Sequence, residues 1–144
     1  MSEENVELVL GLYPASDVEQ VGLYRDEESW AARAEVLAPR LHPDFRCFHP
    51  GLPADKTYAG VDGFRAFWQD WLAPWATYRM VSQPATDLGD RVLVPAHAFG
   101  CLEGSAEEMH LTAALVWSIR DGLVARVDYY ADREEALQAL GLGW

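Results

Sequence analysis

The chain has 144 residues, half of them hydrophobic and 24% charged, a composition that fits one folded domain and argues against disorder or a fibre. Eleven Lys and Arg against 23 Asp and Glu give a net charge of −12, which repels a phosphate backbone and an anionic bilayer, so neither nucleic acid nor membrane is an expected partner. No apolar run approaches the ~20 residues of a membrane-spanning helix, the acidic start Met1-Ser2-Glu3-Glu4-Asn5 does not read as a leader, and Cys47 and Cys101 form neither a metal motif nor a disulfide framework, so a cytoplasmic, reduced protein is expected.

The first half reads as helical. Ser2 can cap a helix whose first turn carries Glu3 and Glu4, with Val6, Val9, Leu10 and Tyr13 on one face and Pro14 at its end. A short helical turn follows over 17–24. A second helix is predicted from Glu28 to Ala38, with Trp30, Ala34 and Leu37 as its apolar stripe. Asp44–His49 reads as a short strand closed by Pro50-Gly51. A third helix spans Val61–Trp75, where Phe64, Phe67, Trp68, Trp71, Leu72 and Trp75 recur at three and four residues. The period then changes to two. Residues 77–86 alternate weakly, and 91–100 form a strand with Val92, Val94, Ala96 and Ala98 on one face. Glu103-Gly104 suggests a hairpin turn. Residues 108–120 form the longest strand, with Met109, Leu111, Ala113, Leu115, Trp117 and Ile119 inward. Asp121-Gly122 is a strong hairpin signal. Residues 123–131 close the sheet with Leu123, Ala125, Val127, Tyr129 and Ala131 inward, and Asp132 caps a final helix to Leu140. Helices first and an antiparallel meander after them predict an α+β fold, one domain over 1–144, with helices packed on a curved, mostly antiparallel sheet.

With those elements in place, several stretches resemble the SnoaL-like family of the nuclear-transport-factor-2-like superfamily. WSIRDGLVARVDYYADREEALQALGL is similar to its last strand pair and helix, YAGVDGFRAFWQDWL to its third helix, DLGDRVLV to a strand turn and HPDFRCFHP to its first strand. The resemblance implies a cone-shaped roll. It implies a function among polyketide cyclases, ketosteroid isomerases, epoxide hydrolases, dehydratases and proteins without known activity.

By that resemblance His49, just before Pro50, occupies the position of a general base, and an imidazole of pKa near 6.5 suits that task. Tyr13 falls near the isomerase tyrosine that donates to an oxyanion. The isomerases' protonated aspartate falls at Leu115 or Val116, both apolar, so that constellation is incomplete. Alternation turns Tyr129 inward and Asp128 outward. The candidate catalytic residues are therefore His49, Tyr13 and Tyr129, with Cys47, Phe64, Trp68, Trp71, Met80, Leu115, Trp117 and Val127 lining an apolar pocket. His97 and His110 stand opposite each other if Glu103-Gly104 is a two-residue turn, but no further ligands are evident and no metal is expected. No cofactor motif is present, so no cofactor is expected. The expected function is cofactor-free proton transfer (isomerisation, cyclisation or dehydration) on a small hydrophobic or aromatic molecule. The alternatives are a non-catalytic binding or dimerisation module and, more weakly, an epoxide hydrolase. A homodimer is expected through the outer sheet face, which carries His97, Phe99, Thr112, Ala114 and Val116.

Overall fold

The computed structural model describes residues 2–15, 18–53 and 55–142. Helix α1 (Ser2–Leu10) places Glu3 and Glu4 at its positive end; the cap expected of Ser2 rests on a side chain outside the described residues. The helix stops three residues before Tyr13, because the Leu12 N–H closes a tight turn on the Val9 carbonyl. That turn buries Leu12 and leaves Leu10 42% exposed, contrary to the expected stripe. Helix α2 (Gln20–Arg25) is capped by the Glu19 carboxylate, which accepts from Val21 and Gly22 and also from the Tyr78 N–H, tying the helix to the sheet. Residue 17 of the expected turn lies outside the described residues. Helix α3 (Glu27–Leu37) starts on an Asp26 cap and buries Trp30 and Leu37.

Strand β1 (Leu41–Phe48) is followed by a loop and the short β2 (Tyr58–Ala59). Helix α4 (Gly60–Leu72) buries Phe64, Phe67, Trp68 and Leu72. It sits close on β2 because Gly63 has no Cβ; one would fall 2.5 Å from the Tyr58 carbonyl carbon. Pro74 ends the helix, so Trp75 opens the next strand instead of closing the helix. The rest is β3 (Trp75–Ser82), β4 (Thr86–Asp87), β5 (Arg91–Leu102), β6 (Met109–Arg120), β7 (Leu123–Tyr130) and α5 (Arg133–Ala139), capped by Asp132 on the Glu135 N–H.

The sheet order is β2-β1-β7-β6-β5-β3, with β4 beside β5. All pairs are antiparallel except β1 with β7. Asp121 and Gly122 both take positive φ, the type I′ chemistry their sequence announced. An irregularity in the β6–β7 register then pairs Ser118 with Arg126 and Ile119 with Val124. It shifts the strand's phase, so Val124 is buried while Leu123 and Ala125 are not. Val127 and Tyr129 keep the inward face. The main core lies between the inner sheet face and α1–α4. A second, smaller core lies on the outer face, where α5 sets Ala136 against Leu93, Ala114 and Val116. Ala114 and Val116 are therefore covered within one chain, which corrects the expectation that they form a free face.

Candidate functional site

His49 sits one residue past β1, where Pro50 breaks the strand. Its Nδ1 accepts the Gly51 N–H at 2.8 Å. That bond fixes the neutral tautomer: Nδ1 keeps its lone pair and Nε2 carries the proton. Nε2 is buried and has no partner among the described residues. Burial pushes the His49 pKa from 6.5 down to about 4, so the ring is neutral at pH 7. The ring centroid is 4.2 Å from Tyr129, stacked, and 4.7 Å from Trp71. Phe67 stands at 6.1 Å.

Two more buried polar atoms belong to this aromatic box: the Trp71 indole nitrogen and the Tyr78 hydroxyl. Trp71 meets Tyr78 edge-on at 6.5 Å. Burial raises the Tyr78 pKa, and hydrogen bonding with the Trp71 N–H and the Tyr129 hydroxyl opposes that rise. Tyr129 is raised as well, by burial first and by Tyr78 second, so neither phenol ionises at neutral pH. The box thus offers donors from the residue after β1 and from α4, β3 and β7.

The second candidate locus lies across Trp68. Phe64, Trp68, Met80, Leu115 and Trp117 line a slot of only about 20 Å³, together with Leu12, Tyr13, Pro14, Gln20 and Tyr24. Tyr13 accepts the Trp117 indole N–H at 2.8 Å and packs edge-on against that ring at 5.7 Å. Its own proton stays free to donate, and burial raises its pKa. Trp68 is the partition: it stacks on Tyr24 at 5.9 Å on the slot side and meets Tyr129 at 6.5 Å on the other. The expected single pocket is therefore two loci, with Tyr13 at one and His49 and Tyr129 at the other. Cys47 lies on neither; with His49 it borders an outer cleft of about 330 Å³. Burial, reinforced by the Asp128 carboxylate, raises its thiol pKa, the opposite of a nucleophile's environment. Val127 is buried in the core.

The matching family model is that of the SnoaL-like domain, and it covers residues 24–127. The chain belongs to the SnoaL-like family. Solved structures agree on the nuclear-transport-factor-2-like fold. A protein from Jannaschia sp. CCS1 assigned to the SnoaL-like polyketide cyclases superposes with a TM-score of 0.67 at 21% identity, over 96% of this chain and 90% of that one. TerC, co-crystallised with polyporic acid, gives 0.64 at 23%, over 96% and 97%. A ketosteroid isomerase-like protein from Catenulispora acidiphila, in complex with trimethylamine, gives 0.61 at 15%, over 94% and 93%. Among curated proteins, none matches the chain.

Within this SnoaL-like frame no Asp or Glu among the described residues is buried, and Gln20 joins the tyrosine and tryptophan polar groups in the interior. Leu115 and Val116, at the isomerase acid position, are both buried and apolar. Asp128 instead takes a bidentate contact from Arg126 at 2.7 and 2.8 Å, and Arg126 lies over Phe48 at 4.0 Å. Sequence reasoning missed Gln20, Tyr24 and Tyr78. Tyr78 sat in a weakly alternating stretch, and Gln20 carried no signal, since its burial depends on the Glu19 cap docking α2 against β3.

Proposed function

We propose that this SnoaL-like protein binds a small, largely hydrophobic or aromatic molecule through a carbonyl or phenol oxygen, and that the polarised molecule undergoes a cofactor-free proton transfer such as isomerisation, cyclisation or dehydration. The observation that carries this reading is the buried, unpartnered Nε2–H of neutral His49 beside Tyr129 and Trp71. A donor held in a water-poor aromatic box is worth most to an oxygen that gains charge. His49 then serves as the polarising group. The proton leaving the molecule goes to His49 Nδ1, which first releases the Gly51 N–H, and the imidazolium then returns it to the molecule at its new position, so the ring ends neutral. Tyr13 offers its donor at the other locus, beyond Trp68. Epoxide hydrolysis has no support, because it needs carboxylates and an arginine around a water inside the pocket.

One observation favours the alternative of a non-catalytic module: the slot of about 20 Å³ admits nothing larger than a water until a side chain moves. A fluorescence titration with a panel of aromatic ketones and quinones separates the two. Saturable quenching of tryptophan emission is expected, weakened at least tenfold in His49→Phe, which keeps the ring and removes the donor. No saturable binding by any member of the panel leaves the module in front. A long-range nitrogen–proton NMR spectrum showing His49 protonated at Nδ1 would remove the polarising role.

A further inference from the structure

On the outer sheet face the connection between β5 and β6 runs over residues 103–108, longer than the expected two-residue turn, so His97 pairs with Thr112 and Phe99 with His110. The two imidazoles meet on the diagonal and bond each other at 2.7 Å, which leaves that pair satisfied. The outer cleft at the end of β1 is different, because it has room for a ligand. Its volume of about 330 Å³ falls within the roughly 300–1,000 Å³ of small-molecule sites, whereas the slot of Tyr13 and Trp117 holds about 20 Å³. His49 belongs both to this cleft and to the aromatic box, so a molecule in the cleft lies against the imidazole.

The walls of the cleft are chemically sorted. Phe48, Leu52 and Pro53 give apolar surface, Arg46 and Lys56 give two cations, and no Asp or Glu is among the lining residues. Lys56 is already engaged: its Nζ lies 2.6 Å from Asp70 Oδ2 on α4, and the Tyr58 hydroxyl donates to the same oxygen. Those two contacts tie the loop after β1 to the helix and fix the far wall. Arg46 is not engaged. Its neighbours on the outer face hold carboxylates: Arg126, opposite Arg46 in the β1–β7 register, holds Asp128, and Arg120 holds Asp44. Arg46 pairs with no carboxylate among the described residues. A guanidinium is a planar fork that matches a carboxylate in two parallel bonds. One free fork beside apolar walls suits a single negative charge on a hydrophobic body. In a chain of net charge −12, this acid-free cleft is a local exception to the repulsion that an anion meets elsewhere. Arg46 and His49 stand three residues apart on extended chain, about 10 Å, close to the length of an aromatic acid with polar groups at both ends.

We propose that the outer cleft binds an aromatic carboxylic acid, with its carboxylate on the Arg46 guanidinium, Lys56 beside it, and the carbonyl or phenol oxygen of its ring turned towards His49. This names the substrate class of the proton-transfer reading above and rests on that reading for the His49 end. The test is calorimetry on the full chain with para-acetylbenzoate and para-hydroxyphenylacetate against their methyl esters, at pH 7, where the acids are ionised. The acids should bind at least tenfold more tightly than the esters, with backbone amide shifts clustered at residues 46–49 and 56–58. Arg46→Gln, still folded by circular dichroism, should bring the acids down to the affinity of the esters, and His49→Phe should weaken both series alike. The carboxylate site is overturned by equal binding of acid and ester, by a preference that persists in Arg46→Gln, by amide shifts elsewhere, or by binding of neither series. Equal binding that His49→Phe still weakens leaves the proton-transfer reading standing. An acid preference that depends on Arg46 and is indifferent to His49→Phe supports the cleft site and overturns the role of His49.

Discussion

His49 shows how one backbone hydrogen bond decides the chemistry of a side chain. Because the Gly51 N–H occupies Nδ1, the ring presents a proton to the interior where the sequence suggested a lone pair. Its depressed pKa also links it to stability. In the unfolded chain the ring takes up a proton below about pH 6.5, while in the folded protein it resists until about pH 4. The unfolded state therefore binds more protons in that window, and stability falls as pH drops through it. Denaturation midpoints of the wild type and His49→Phe should converge in slope above pH 6.5, and the wild type should lose stability faster between pH 6.5 and 4. Parallel curves across that window would mean that the ring is solvated. Trp117 makes a second test at this scale. It is 2% exposed, packs against Tyr13 and Phe64 and donates to Tyr13. Trp117→Ala should cost about 3–5 kcal/mol in urea unfolding; a loss below about 1 kcal/mol would show a ring already facing water.

α5 illustrates what an element needs beyond its own propensity. It has seven residues and an Asp132 cap, too little to persist alone. Its stability comes from Ala136 docking on Leu93, Ala114 and Val116, with Leu137 and Leu140 beside them. Leu93→Ala should therefore cost about 2–5 kcal/mol and raise amide exchange in α5 ahead of α4. Equal protection in both helices would show that α5 does not depend on this contact. The same packing means that Val116→Glu would undock α5, so it cannot report on association between copies. Residues near His97 and Phe99, beyond the helix, are the ones that can.

At the scale of the molecule, a net charge of −12 on 144 residues makes self-repulsion a standing cost of compactness. Raising sodium chloride from low concentration to about 0.5 M screens it, and the melting temperature should rise by about 2–4 °C, the equivalent of ~1 kcal/mol. A fall would mean that ion pairs such as Arg65–Glu27 and Lys56–Asp70 outweigh the repulsion. The sequence by itself determined the elements whose signals are local. The period of 3.6 in α4, the period of two in β5 and β6, the Asp121-Gly122 turn and the Asp132 cap each depend on neighbours within a few residues. The sequence also determined the family frame, because its strand and helix motifs are contiguous. Only the tertiary structure decided the rest. The β6–β7 irregularity moved burial from Leu123 and Ala125 to Val124, a choice made between strands. The Glu19 cap brought Gln20 into the core by reaching the backbone of Tyr78, 59 residues away. Trp68 split the expected pocket in two, since a side chain's volume is felt only by what packs around it. The proton of His49 was settled by a bond that local alternation does not encode, because it depends on how the chain turns after Pro50.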